Sequence, residues 1–319
     1  MSRLRRLSAL VAASSLVLVT AACGGDSSEE PTSGSLAGIE VSGDFNTVPE
    51  VTVPDGFTLE ETTSEVLDEG DGSPLVEGQP AILGMTLVNV RTGEVAFSTA
   101  EGETPLNLPS LDQQNLFAAV VEDAVGVASG SRLLFGLLPA DLYGPTGNQQ
   151  LGIEPDDQVL LVVDVLSGPP SETLEGPEGE AVEPPDGTPG VVEDADGVVT
   201  GIDFTGAPAD PPTELTVIPL IEGDGPEARD DSVVAFNYLG QVWGSDEVFD
   251  ESYSRGEPTP FGLGVSGLIQ AWDEGLVGTK RGSRVMIIAP PETAYGDSER
   301  PGIPANSTLV FVIDVLGVG

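Results

Sequence analysis

The chain contains no histidine. That absence removes imidazole general bases, His-ligated zinc and the Ser-His-Asp arrangement from consideration. It holds one cysteine, too few for an intrachain disulfide or a thiolate metal cluster. Bases are scarce: 11 Lys and Arg stand against 53 Asp and Glu in 319 residues. Nucleic-acid backbone is recognised through a basic footprint, so a nucleic-acid partner is excluded. Strong acidity otherwise speaks to solubility, not to function. Aromatics are few, at 5%. What is plentiful is Gly (41) and Pro (27), a composition of turns and linkers more than of long helices.

The cysteine is accounted for by its position. Arg3, Arg5 and Arg6 form a basic start, Leu7 to Val19 is an apolar run broken only by Ser and Ala, and Thr20-Ala21-Ala22-Cys23 closes it with small residues. The run is short for a membrane span and reads as a secretory signal over residues 1–22. Small residues before a lone Cys, followed by Gly24-Gly25-Asp26-Ser27-Ser28, resemble the lipobox of bacterial lipoproteins, with Thr20 in place of the usual aliphatic residue. The resemblance implies cleavage before Cys23 and its lipidation, with two or more acyl chains needed for stable anchoring. The expectation is a protein lipid-anchored on the extracytoplasmic side of the cell membrane. Losing residues 1–22 removes three arginines and no acid, which takes the net charge from −42 to −45. Anionic lipid repels such a body, and residues 23–45, polar and small, are expected to hold it off as a flexible tether.

Residues 168–190 alternate Pro, Gly and Glu and are expected to stay unordered; the whole stretch 168–212 reads as a linker. Within it, Val191-Val192-Glu193-Asp194-Ala195-Asp196-Gly197-Val198-Val199 has valines flanking an Asp-Gly turn, the pattern of a hairpin. Around the linker lie residues 46–167 and 213–319, and they repeat one another. Glu69-Gly70-Asp71-Gly72 recurs as Glu222-Gly223-Asp224-Gly225. At an offset of 152, Phe97 matches Phe249, Gly130-Ser131-Arg132 matches Gly282-Ser283-Arg284, and Tyr143-Gly144 matches Tyr295-Gly296. Val163-Asp164-Val165-Leu166 echoes Ile313-Asp314-Val315-Leu316 at 150. The chain is a diverged tandem duplication.

In the second copy, Leu215–Leu220, Ser232–Val242, Arg284–Ala289 and Thr308–Leu316 are rich in β-branched and aromatic residues, as strands are. Leu268–Leu276 places Leu268, Ile269, Trp272 and Leu276 at helical spacing. Many strands, one short helix and no βαβ alternation predict an α+β fold, an antiparallel sheet wrapped around a helix, in each copy. Residues 213–319 hold nine of the sixteen aromatics, both tryptophans included. If one copy carries a ligand pocket, it is the second.

Several stretches of the second copy, in order, carry a resemblance. Val248-Phe249-Asp250-Glu251-Ser252, Leu268-Ile269-Gln270-Ala271-Trp272-Asp273-Glu274-Gly275-Leu276, Gly282-Ser283-Arg284, Pro290-Pro291-Glu292-Thr293-Ala294-Tyr295-Gly296 and Ile303-Pro304-Ala305-Asn306-Ser307-Thr308-Leu309-Val310-Phe311 are together similar to the FKBP-type peptidyl-prolyl cis-trans isomerases. Asn237-Tyr238-Leu239-Gly240 departs from that family's usual His-Tyr-Thr-Gly, and Gly267 stands where many members carry an acid. The resemblance implies a catalytic pocket of Tyr238, Phe249, Asp250, Trp272, Tyr295 and Phe311. Phe261, Leu268, Ile269 and Ile303 would complete the substrate-binding wall, and Arg255 would pair with Asp250. It implies no metal and no cofactor. Proline-containing polypeptides and macrolide immunosuppressant-type ligands are the partners it implies, with the Tyr295 hydroxyl and the Ile269 N–H as donors to a twisted carbonyl.

That chemistry suits a chain without histidine. Rotation about the peptide C–N bond is opposed by resonance, with a barrier of ~18–20 kcal/mol. A pocket that stabilises the twisted, less polar amide better than the planar one lowers it, without nucleophile or base. The expectation is therefore a prolyl isomerase for exported polypeptides. The alternative is a non-catalytic chaperone that holds proline segments in the same pocket; a solute-capturing lipoprotein would need a larger cleft. The blandest reading makes these aromatics only the core of a small β domain. Gly262-Leu263-Gly264-Val265-Ser266-Gly267 fits a dinucleotide fingerprint but lacks the parallel βαβ unit that would give it meaning. The first copy is expected to share the fold and lack the activity, since Val120 replaces Trp272, Ser98 replaces Asp250, and Met85 lies near the place of Tyr238.

Overall fold

The computed structural model describes residues 36–100, 104–265 and 267–319. The signal, Cys23 and residues 23–35 of the tether lie outside the described residues. Two strands open the described chain, β1 (Glu40–Ser42) and β2 (Glu50–Thr52), and pair as a hairpin. The first half follows with β3 (Thr63–Asp68), β4 (Ala81–Asn89), β5 (Val95–Ser98), β6 (Leu106–Leu108), α1 (Ala118–Ala124), β7 (Arg132–Leu137) and β8 (Val159–Ser167). Next come β9 (Gly179–Ala181) and the hairpin β10 (Gly190–Glu193) and β11 (Val199–Asp203). The second half is β12 (Thr216–Gly223), β13 (Val233–Val242), β14 (Val248–Glu251), β15 (Thr259–Gly262), α2 (Gln270–Leu276), β16 (Arg284–Ala289) and β17 (Leu309–Val318). The expected α+β class holds.

The two sheets share one topology. The first runs β3-β7-β8-β4-β5 with β6 also on β4; the second runs β12-β16-β17-β13-β14 with β15 also on β13. Every pairing is antiparallel. Each helix packs its apolar side on one face of its sheet, with Val120, Val121 and Ala124 in the first core and Ala271, Trp272 and Leu276 in the second. The repeated Glu-Gly-Asp-Gly motif has a steric basis. A Cβ on Gly70 would come within 2.2 Å of the Ser129 carbonyl oxygen, and one on Gly223 within 2.3 Å of that of Arg281. In both halves the glycine N–H donates to a serine Oγ, Ser131 at 2.8 Å and Ser283 at 3.0 Å. Repetition at these sites preserves a close strand crossing that any side chain would block.

The back faces are covered in the same way, which the composition did not foretell. Residues 36–45, expected to lie in the tether, are ordered here: Leu36 is buried, and Ile39 and Val41 pack with Val51, Val53 and Phe57 over Val88, Leu134, Leu160 and Val162. In the second half the β10–β11 hairpin, at the place its Asp-Gly turn predicts, sets Val199 and Ile202 against Ile218, Leu239, Met286, Val310 and Val312. Each hairpin is clamped by the buried arginine of its sheet. Arg132 donates to the carbonyls of Gly43 and Asp44 and pairs with Asp164. Arg284 pairs with Asp314 and Glu193 and reaches the Gly197 carbonyl. The repeating unit is thus a hairpin plus a sheet and helix, and it begins before residue 46 and before residue 213.

Residues 168–190 are also not a free linker. Leu174 N–H donates to Leu316, Glu178 N–H to Gly282 and Val182 N–H to Leu220, and β9 pairs with the edge of β12. Composition measures how much apolar surface a segment can bury, and this one holds little. Its order comes instead from backbone groups satisfied along a sheet edge.

Candidate active site

Over α2 the second half forms a cavity of about 360 Å³. Trp272 forms its floor because it lies on the sheet-facing side of the helix, 5% exposed. Phe236, Tyr238 and Phe311 meet its ring edge-on at centroid distances of 5.0, 4.9 and 5.1 Å, within the range of favourable aromatic pairs. Phe236 is wholly buried beneath and stacks on Phe261 at 5.3 Å; it is core, whereas Phe261 lines the cavity. Phe249 stands edge-on to Phe311 at 5.7 Å. A Cβ on Gly240 would sit 2.6 Å from the Phe249 ring and 2.9 Å from that of Phe311, so this glycine makes room for both walls. The indole N–H of Trp272 is buried without a hydrogen-bond partner.

One polar group lies at the rim. The Tyr238 hydroxyl donates to Asp250 Oδ2 at 2.6 Å, and Arg255 Nη2 donates to Asp250 Oδ1 at 2.8 Å. The Arg255 guanidinium also lies 5.8 Å from the Tyr238 ring centroid. Burial first, and the Asp250 carboxylate second, push the Tyr238 phenol up to about 12. It therefore stays protonated, and a donor, throughout the neutral range. Asp250 is held by two partners and is a fixed acceptor rather than a mobile base. On the opposite side, Tyr295 carries the Arg300 guanidinium 5.4 Å from its ring centroid. Ile269 is the N-cap of α2, and its carbonyl accepts from Trp272 and Asp273.

The comparisons match this region of the chain. The profile of the FKBP-type peptidyl-prolyl cis-trans isomerase family fits residues 225–316. A "FK506-binding protein" of Streptomyces anulatus is 40% identical over 119 residues, which are 37% of this chain and 94% of that protein. The chain belongs to the FKBP-type peptidyl-prolyl cis-trans isomerase family. It is 46% identical over 96 residues to the "FKBP-type peptidyl-prolyl cis-trans isomerase FkpA" of Escherichia coli strain K12, spanning 30% of this chain and about a third of that one (34%). The crystal structure of FkpA from Escherichia coli is similar at 42% identity and a TM-score of 0.31, over 33% of this chain and 48% of that one.

Of the residues that the FKBP resemblance nominated, Tyr238, Phe249, Asp250, Phe261, Leu268, Ile269, Trp272, Tyr295 and Phe311 all line the cavity, and Arg255 binds Asp250 at its edge. Ile303 does not line it. It is 6% exposed and packs in the same apolar cluster as Trp272 and Phe311; beside it, a Cβ on Gly302 would lie 3.1 Å from Phe249 Cβ. The loop is tightened by reciprocal Arg300 and Ile303 backbone bonds of 2.9 Å, which turn Ile303 inward. Gly267 is a lining residue that the sequence argument set down only as a departure.

The duplicated site in the first half is altered more than the offset of 152 indicates. Ladder register places Met85 opposite Val163, as Tyr238 is opposite Ile313. It pairs Leu87 with Phe97, as Gly240 pairs with Asp250, and skips Ala96 in a bulge as it skips Phe249. Phe97 therefore occupies the place of Asp250, not that of Phe249, and Ser98 is not its counterpart. This strand runs at an offset of 153, one residue different from β7 and β16. The pairing itself is the same in both copies, so the change of offset is a one-residue length difference in the chain between β5 and β7; Phe97, at the place of Asp250, is exposed. In place of the floor, Val120 is buried and Phe117 meets Tyr143 edge-on at 5.7 Å.

Proposed function

We propose that the cavity over α2 isomerises X-Pro bonds of exported polypeptides at the outer face of the cytoplasmic membrane, and that the first half has no isomerase activity. One observation carries the reading: a floor of indole and walls of phenyl rings enclose a space where Asp250, the one carboxylate among the described lining residues, is already held by a tyrosine and an arginine. A planar X-Pro amide carries charge separation that such walls solvate poorly; the twisted amide carries less. The Tyr295 hydroxyl and Ile269 N–H supply donors to the twisted carbonyl, and differential binding of that geometry lowers the barrier. Rotation moves no proton and breaks no bond, so nucleophile, metal and cofactor have no step to perform. The same concave apolar surface suits macrolide-type ligands.

The test is relaxation of a short X-Pro peptide by the full chain. Uncatalysed, the isomers interconvert over tens to hundreds of seconds; micromolar protein is expected to shorten this in proportion to its concentration. A chain that binds the peptide while leaving its relaxation unchanged is a proline-binding module, and the catalytic reading fails.

The location rests on Arg3, Arg5, Arg6, the apolar run and Cys23. Cys23→Ser is expected to leave the protein unprocessed or released into the medium, which cell fractionation and mass measurement distinguish. Mature protein retained on membranes would require another anchor.

A further inference from the structure

The two halves meet at the loop that carries one wall of the cavity. This loop leaves β15 at Gly262 and reaches the cavity at Gly267, Leu268 and Ile269. Within the second half it is held by Leu263, wholly buried in the core with its N–H donating to Ser232, and by Gly264 N–H, which donates to Asp273 Oδ1 at 2.8 Å. Unlike Leu263, its neighbour Val265 packs outside that core. It packs with Val233 against Ile82 and Leu166 of the first half, and all four are buried. Beside this cluster, Val233 N–H donates to Ser167 Oγ at 2.8 Å.

Asn107 closes the contact. It is the middle residue of β6, where alternation sends Leu106 and Leu108 into the first core and Asn107 outward. Its Nδ2 donates to the Val265 carbonyl at 3.4 Å. A Cβ on Gly262 would lie 2.8 Å from its Oδ1, and a Cβ on Gly267 would lie 3.0 Å from its Nδ2. One amide thus spans the loop from its first glycine to the glycine at the cavity, and a larger residue at 267 would press on it.

We infer that the first half acts as a brace for the isomerase site, with Asn107 as a positioning residue for the wall formed by Gly267, Leu268 and Ile269. This rests on the cavity being the isomerase site. It assigns the first half a role that needs no pocket of its own: its framework holds a surface for the second half. Gly267 is then the residue this packing requires, which accounts for its departure from the family pattern.

The test uses the full chain and a peptide assay that separates kcat from KM. Asn107→Ala is expected to lower kcat/KM roughly three- to tenfold, the scale of coupling through a packed contact. The loss should fall on kcat, because a donor and a wall aimed at the twisted amide act in the transition state. A double-mutant cycle guards against a merely structural effect. Gly267→Ala is expected to lower kcat/KM in the parent chain and to have a smaller further effect in an Asn107→Gly background, where the amide it meets is gone. Urea unfolding followed by tryptophan fluorescence reports the second half alone, since both tryptophans lie there. Equal effects of Gly267→Ala in both backgrounds, or Asn107→Ala kinetics matching the parent, would overturn the brace. If Trp272→Ala is inactive in the same assay, only the brace has failed; if Trp272→Ala keeps full activity, the site itself has been misplaced.

Discussion

Trp272→Ala in the full chain is expected to lower kcat/KM on an X-Pro peptide at least about tenfold, equivalent to roughly 1.4 kcal/mol of transition-state stabilisation. The residue touches three rings within 5.1 Å, and truncation deletes the surface on which a prolyl ring would rest. The first half has Val120 in the equivalent place on α1, so its contribution to the remaining rate is expected to be nil. The same change opens a void in the core, and Trp→Ala truncations cost about 3–5 kcal/mol of stability. Folding must therefore be followed in parallel, which Trp243 permits. Trp272→Phe separates the two effects. It keeps a flat ring and removes a buried N–H that has no partner, relieving a desolvation penalty of about 1–3 kcal/mol that offsets part of the lost volume. The Phe variant should be more stable than the Ala variant and retain more activity. Parental kcat/KM in a folded Trp272→Ala chain would remove the indole from the mechanism.

Asp314→Ala is expected to destabilise the second half by about 3–5 kcal/mol. Arg284 and Asp314 are both buried, with Arg284 Nε 2.5 Å from Asp314 Oδ1, and Tyr253 donates its hydroxyl to the same carboxylate at 2.9 Å. Burial first, and the Asp314 charge second, hold the Tyr253 phenol far above the ordinary tyrosine range. Removing the carboxylate leaves the buried guanidinium only its partners on the hairpin and takes the acceptor from the Tyr253 hydroxyl. It also loosens the β10–β11 hairpin, since Arg284 clamps Glu193 and Gly197. Replacing the pair together, as Arg284→Met with Asp314→Leu, leaves no orphaned charge and is expected to recover much of the loss. Urea unfolding monitored by tryptophan fluorescence measures both variants. An Asp314→Ala midpoint equal to the parent's would mean that water reaches Arg284.

The nominated pocket was legible because its residues come from short, ordered motifs whose spacing survives in one dimension. Trp272 with Leu268 and Ile269, Phe249 with Asp250, and Tyr295 each sit on a local element, and the helix and four main strands of the second half lie within a few residues of their expected places. Ile303 packs with Trp272 and Phe311 without lining the cavity, because the four-residue turn Arg300–Ile303, closed by its own backbone bonds, decides where that side chain sits. The copy-to-copy match at Phe97 failed for a related reason. A constant offset cannot reveal a one-residue difference in a connection until the pairing of the strands before it is seen.

By itself, the sequence determined the class, the duplication, the hairpin at the Asp-Gly turn and the aromatic site, since each follows from local periodicity or from residue types within one motif. Tertiary structure alone decided what the weakly apolar segments do. Leu36 to Phe57 and the β10–β11 hairpin cover the sheets' outer faces, residues 168–190 bind an edge, and Asn107 reaches the loop beside Gly267. None of these segments carries enough apolar surface to announce what it packs against. Their order is supplied by partners distant in the chain, an unpaired strand edge, a buried arginine or an exposed glycine loop, and such partners become neighbours only after the sheets have formed.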